Sequence, residues 1–239
     1  MYSSSIPTIK NSLLYILIAL VFLPLSANAD GTDFTLKYLE GTSRKKAPGS
    51  EGWLKLDSNS VIGIGDSVKT LEDGRLELQI SDRLLRIGTG TLIAISDSNI
   101  EYNMPEKTIE LISGELWSMF ISKEDVNRGL LLPKANVYGG DFDARFSVGD
   151  DGTAEIKVYS GEADITRRLI PVIDSIETDD GADSTDITDH TPESWSVTLD
   201  SNEKLILSSS GEIIFRGPFS PDDPDEQTDW VRWNKDRAR

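Results

Sequence analysis

The sequence predicts an all-β protein built from many short antiparallel hairpins, arranged as a sandwich, a barrel or a solenoid, with a short helix at the C-terminus. Three observations carry that prediction. Apolar and polar residues alternate with a period of two in several short runs, turn dipeptides separate these runs, and one stretch near the C-terminus spaces its tryptophans for a helix face.

The first element along the chain is a leader. Met1 to Ser12 is polar with one charge, Lys10, and Leu13 to Leu25 is apolar apart from its helix breaker Pro24. Ala27-Asn28-Ala29 then places small residues where a signal peptidase reads. Residues 1–29 are therefore expected to be a signal peptide cleaved after Ala29, with export to the periplasm or beyond. A spanning helix takes about 20 apolar residues, and this run is shorter, so no membrane span is expected after cleavage. An uncleaved anchor is the alternative.

Residues 30–52 read as a lead-in, and the alternating runs follow. Leu76, Leu78 and Ile80 share one face of Arg75 to Ile80; Asp141 to Ser147, Thr153 to Tyr159 and Ser194 to Leu199 alternate in the same way. Asp73-Gly74 and Asp151-Gly152 supply tight turns. Ser-Gly-Glu recurs at 113–115, 160–162 and 210–212, either as hairpins reusing one turn chemistry or as a repeat. The main β domain is placed at 53–166, an acidic linker at 167–193, and an additional β segment packing on the domain at 194–217. Residues 218–239 hold an acidic, proline-rich stretch and then the helix, with Asp229 as its N-cap. Trp230 and Trp233 sit three apart on one helix face. Either the two indoles dock on the β domain, or the helix is a docking peptide with Trp230, Trp233 and Arg237 as its contact residues.

Charge and composition narrow the function. The 239 residues include 41 acids and 24 bases, a formal charge of −17, and 38% are hydrophobic, enough for a core. The acidic balance repels phosphate backbones, so no nucleic-acid partner is expected, and it disfavours anionic membrane surfaces. Without cysteine there is no disulfide and no thiolate metal site.

No catalytic constellation stands out, so no enzyme activity, catalytic residue, cofactor or metal is expected. The lone histidine, His190, lies in the acidic linker near Ser194, without the rigid scaffold a Ser-His-Asp triad needs. There is no P-loop, nucleophile elbow or His-Glu-x-x-His, and Gly88-Thr89-Gly90 is too short for a dinucleotide fingerprint. Asp179, Asp180, Asp183 and Asp186 read as a solvated run or a loose calcium site. Trp53, Trp117 and Trp195 lie near strand-like runs, as core residues or as a carbohydrate platform.

Several segments in order carry a family resemblance. They are Gly65-Asp66-Ser67-Val68-Lys69-Thr70, Asp73-Gly74-Arg75-Leu76-Glu77-Leu78, Arg86-Ile87-Gly88-Thr89-Gly90-Thr91, Gly114-Glu115-Leu116-Trp117, Pro133-Lys134-Ala135-Asn136-Val137, Gly139-Gly140-Asp141-Phe142 and Val158-Tyr159-Ser160-Gly161-Glu162-Ala163. Together they resemble a FecR domain from about Trp53 to Thr166. The resemblance implies an all-β periplasmic domain with a sensing or protein-contact role. The family's anti-sigma regulator carries a cytoplasmic tail, whereas only about a dozen polar residues precede the apolar run here, so a secreted, stand-alone member is expected. The expected function is a non-catalytic protein-binding or signal-sensing module of the bacterial envelope, partnered by an envelope protein. A glycan- or peptidoglycan-binding module is the alternative, and a hydrolase the remote one.

Overall fold

The two-residue alternation becomes strand wherever it was read, and the buried positions follow it. Arg75 to Ile80 buries Leu76, Leu78 and Ile80 and leaves the alternates half-exposed. The computed structural model describes residues 34–80, 83–96, 108–120, 129–139, 141–168 and 194–237. The expected leader, His190, and Asp179, Asp180, Asp183 and Asp186 of the expected linker lie outside the described residues.

Among the described residues, sixteen strands form one continuous sheet folded into two halves. The first half contains β1 (Thr35–Glu40), β5 (Arg75–Ile80) and β6 (Arg83–Ile87), then the end of the long β8 (Thr108–Phe120). It continues with β11 (Phe142–Val148), β12 (Ala154–Gly161), β15 (Glu203–Leu207) and β16 (Ile213–Pro218). The second half runs from β3 (Leu54–Lys55) through β2 (Ser43–Lys46), β4 (Ser67–Thr70) and β7 (Leu92–Ser96) to the start of β8. It ends with β9 (Leu130–Leu132), β10 (Ala135–Tyr138), β13 (Ala163–Arg167) and β14 (Ser196–Leu199). All pairings are antiparallel except β8 with β9. A one-turn 3-10 helix (Pro224–Gln227) and α1 (Asp229–Arg237) close the chain. Among the described residues the fold is all-β with one short α-helix, and the sheet is not closed into a barrel. Among the described residues, no helix is long and apolar enough to cross a membrane.

The inward residues of both halves form one apolar core. Leu78, Leu116, Phe146 and Ile156 from the first half lie in the same cluster as Val68, Ile93, Leu111 and Val137 from the second. Each fully buried aliphatic or aromatic side chain contributes about 1.5–3 kcal/mol by leaving water, so this shared layer is the main source of stability. The 194–217 segment completes both halves, because β14 pairs with β13 while β15 pairs with β12.

Strand β8 belongs to both halves, and Gly114 is where it crosses. Its backbone takes φ +91° there, and an added Cβ would lie 2.4 Å from Thr91 Oγ1. Conformation and space therefore both require glycine. Two threonines tie the crossing. Thr91 Oγ1 accepts from Glu115 N at 2.9 Å, and Thr70 Oγ1 accepts from Thr91 N at 2.9 Å and donates to Gly88 O at 2.5 Å. The segments that carried the family resemblance converge here: Thr70, Gly88, Thr91 and Gly114 come from three of its separate pieces.

Gly114→Val is expected to lower the unfolding free energy by at least about 2 kcal/mol, measured as a fall in the urea midpoint at constant slope. An unchanged midpoint would contradict this role for the crossing.

Candidate functional site

The outer face of the first half-sheet is built from the polar alternates of its strands. Because residues two apart share a face, register aligns Glu77, Arg86, Trp117, Arg145, Lys157 and Lys204 in one row across β5, β6, β8, β11, β12 and β15. Arg145, Lys157 and Lys204 are direct cross-strand neighbours, and like charges so placed repel.

The acidic stretch after β16 offsets that repulsion. Asp225 pairs with both Arg145 and Lys157, and Glu226 accepts from Lys157 and Lys235 at 3.1 Å each and from Tyr159 at 2.9 Å. Asp223 lies 3.8 Å from Lys204. Lys157 and Glu226 are fully buried by their side chains. The stretch expected to oppose regular structure is thus an ordered strap, and its acids are the counter-charge of the row. Burial alone would raise the Asp225 carboxyl, but hydrogen bonds from Lys157 and Arg145 hold it below its ordinary value. Burial pushes the Tyr159 hydroxyl up, so it stays a donor to Glu226. Burial also raises the Glu115 carboxyl, against the lowering field of Arg145.

An aromatic cluster completes the strap. Trp117 is buried and stacks on Tyr159 with centroids 4.4 Å apart, and its indole N–H donates to Asp143. Trp230 is buried against this cluster and stacks on the half-buried Trp233 at 5.4 Å. Arg237 is exposed, with its guanidinium 4.1 Å from the Tyr38 ring centroid and 4.9 Å from that of Trp233. The helix begins differently from the sequence reading: Thr228 Oγ1 accepts from Val231 N at 3.3 Å, while Asp229 pairs with Arg232. Thr228 precedes the helix, where an N-cap hydroxyl reaches the first turn. At the other end Arg86 donates to the carbonyls of Asn234 at 2.8 Å and Arg237 at 3.1 Å, satisfying helix-end acceptors with a buried cation.

The strand that feeds the strap is an open edge. Among the described residues β16 pairs with β15 alone, and Ile213, Ile214 and Phe215 are 40%, 61% and 40% exposed. Edge strands are usually blunted by charge, proline or a bulge. β16 has Pro218 at its end and a register shift at Ile214, yet keeps three consecutive apolar side chains in water. The sequence reading missed this site, although Ile213-Ile214-Phe215 was visible as an apolar run after a Ser-Gly-Glu turn. The other tryptophans are partly covered: Lys69 lies 4.2 Å above the Trp53 ring, and Trp195 donates to Gly211 O at 2.9 Å.

No protein-family model matches the chain, and no curated protein matches it. Among solved structures, two crystal structures of a candidate anti-sigma factor from Parabacteroides distasonis ATCC 8503 are similar, each with a TM-score of 0.43 and 13% identity. The similarity covers 64% of this chain, which spans 59% of that protein's length.

Glu226→Ala is expected to cost about 3 kcal/mol, because it leaves the buried Lys157 with one counter-charge fewer. The Lys157→Met, Glu226→Leu pair should lose less than the single variant in urea unfolding. Glu115→Gln should raise the melting temperature at neutral pH. A raised folded-state pKa penalises the ionised form, so the gain should vanish as pH falls below the ordinary glutamate range of about 4.

Proposed function

We propose that this chain is a non-catalytic, FecR-like protein-binding module exported to the bacterial envelope, and that it takes an extended segment of an envelope partner on the open edge of β16. The observation that carries this reading is the run Ile213-Ile214-Phe215, solvent-exposed on an edge strand. An added strand would supply hydrogen-bond partners to the unpaired side of β16, and these apolar side chains would give specificity. The leader-like start and the ordered family-like segments support export and a contact role.

The C-terminal helix supports the edge rather than competing with it. Phe219 follows β16 directly and is buried, and Tyr159 packs edge-on to it at 5.2 Å. The strap therefore anchors the end of β16. Deleting Asp229 to Arg239 would uncover Trp117 and Tyr159, so loss of a partner on truncation would not locate the contact. Point changes on exposed side chains avoid that problem.

Ile214→Lys and Phe215→Lys place charge on the open edge without touching the core. Both variants should melt within a few degrees of the parent, as surface substitutions do. Cross-linked capture from the protein's own envelope, read by mass spectrometry, should recover a partner with the parent and lose it with both variants. Equal recovery by parent and variants would sink the edge reading.

A further inference from the structure

The outer face of the first half-sheet has a second row beside the cation row. Two residues along each strand from Trp117, Arg145, Lys157 and Lys204, register aligns Glu115, Ser147, Glu155 and Ile206. All four are half-buried. They form the floor of an open groove of about 490 Å³, which lies between the strap, contributing Asp225, and the β11–β12 turn, contributing Thr153. That volume falls in the range of small-molecule sites.

The charges around this groove do not balance within the chain. Glu155, Asp225 and Glu226 share Arg145, Lys157 and Lys235, three acids for three cations. Glu115 is left over. Among the described residues its carboxylate enters no ion pair and accepts no hydrogen bond. Burial raises it, the charges of Asp225 and Glu155 add to that, and the fields of Arg145 and Lys157 oppose them. The Ser147 hydroxyl, directly across the strand pair from Glu115, also has no partner among the described residues.

A buried donor lies at the same end of the groove. Trp230 is 6% exposed, and among the described residues its indole N–H has no acceptor. A Cβ placed on Gly88 would lie 3.3 Å from Glu115 Cβ and 3.4 Å from Trp230 Cε2, the ring carbon bonded to that nitrogen. The unmet donor and the unmet carboxylate therefore flank one glycine. Each costs free energy while it stays unmet, and one compact ligand with both complementary groups answers the two together. Among the described residues no group of acids is placed to hold a metal ion. An ammonium needs only one carboxylate with a neutral acceptor beside it.

We propose that this groove binds an α-amino carbonyl group, an ammonium with a carbonyl one carbon away. The ammonium donates to Glu115 and to the Ser147 hydroxyl, and the carbonyl accepts from the Trp230 indole. The rest of the ligand runs along the groove past Glu155 toward Ile206. A small amino amide and the N-terminus of a polypeptide present the same group. The site is separate from the β16 edge, since neither Ile214 nor Phe215 lines it.

The test is a nuclear magnetic resonance titration of the ¹⁵N-labelled chain from Asp30, which keeps every described residue. Glycinamide should move the Trp230 indole N–H signal. N-acetylglycinamide, which has no ammonium, should leave it in place, and n-butylamine, which has no carbonyl, should bind several-fold more weakly. Glu115→Gln should weaken glycinamide at least about tenfold. That variant is expected to melt higher than the parent, so its loss of binding is not a loss of fold. Tighter binding of triglycine amide than of glycinamide assigns the site to a polypeptide N-terminus, and the reverse order assigns it to a small amine. Ile214→Lys should bind glycinamide as the parent does, which keeps this result independent of the edge. A Trp230 signal that glycinamide does not move, or equal binding by parent and Glu115→Gln, would overturn the proposal.

Discussion

The architecture depends on one strand belonging to two sheets. β8 pairs with β7 and β9 before Gly114 and with β6 and β11 after it, so one crossing sets how the halves face each other. A side chain at position 114 would collide with Thr91, and Thr91 is held by Thr70. This arrangement sits between β4 and β7 on one side and the start of the first half on the other. Small residues and hydroxyls appear there because backbone must approach backbone closely, and each threonine oxygen replaces a partner that a regular ladder would have supplied.

Once the halves face each other, their outer surfaces are defined, and charge governs that of the first. On the first half, register forces Arg145, Lys157 and Lys204 side by side, and the strap covers them with Asp223, Asp225 and Glu226. A buried lysine is tolerated because its partners are carboxylates with their own second donors, Tyr159 and Lys235. The C-terminal helix is held by the same economy of partners, its terminal carbonyls taken by Arg86 and its indoles by Trp117. The protein therefore seals the cation row of one outer face with its own chain. Among the described residues, it leaves one side of the apolar β16 edge unpaired.

Net charge is a sum and does not describe the charge of any one face. A formal charge of −17 argues against anionic surfaces when charges are taken as a sum. Screening confines each charge to its neighbourhood, about 10 Å at ordinary ionic strength. Neighbouring charges on one face therefore act mainly within that face.

The sequence by itself determined the strands and the sharing of faces, because a period of two and an Asp-Gly turn are local properties. Leu116 with Ser118, and Trp117 with Met119, were separable from the order of residues alone. Which pair faced inward was not, because that depends on a partner sheet formed by residues far along the chain. The same holds for the strap. Pro218 to Gln227 reads from its prolines as opposed to regular structure, and becomes an ordered strap because Arg145 and Lys157, 80 residues before Asp225 and 69 before Glu226, present their charges to it. The cation row belongs to tertiary structure entirely. Arg145, Lys157 and Lys204 are scattered in sequence, and only inter-strand register, set by the core and the Gly114 crossing, brings them into one line.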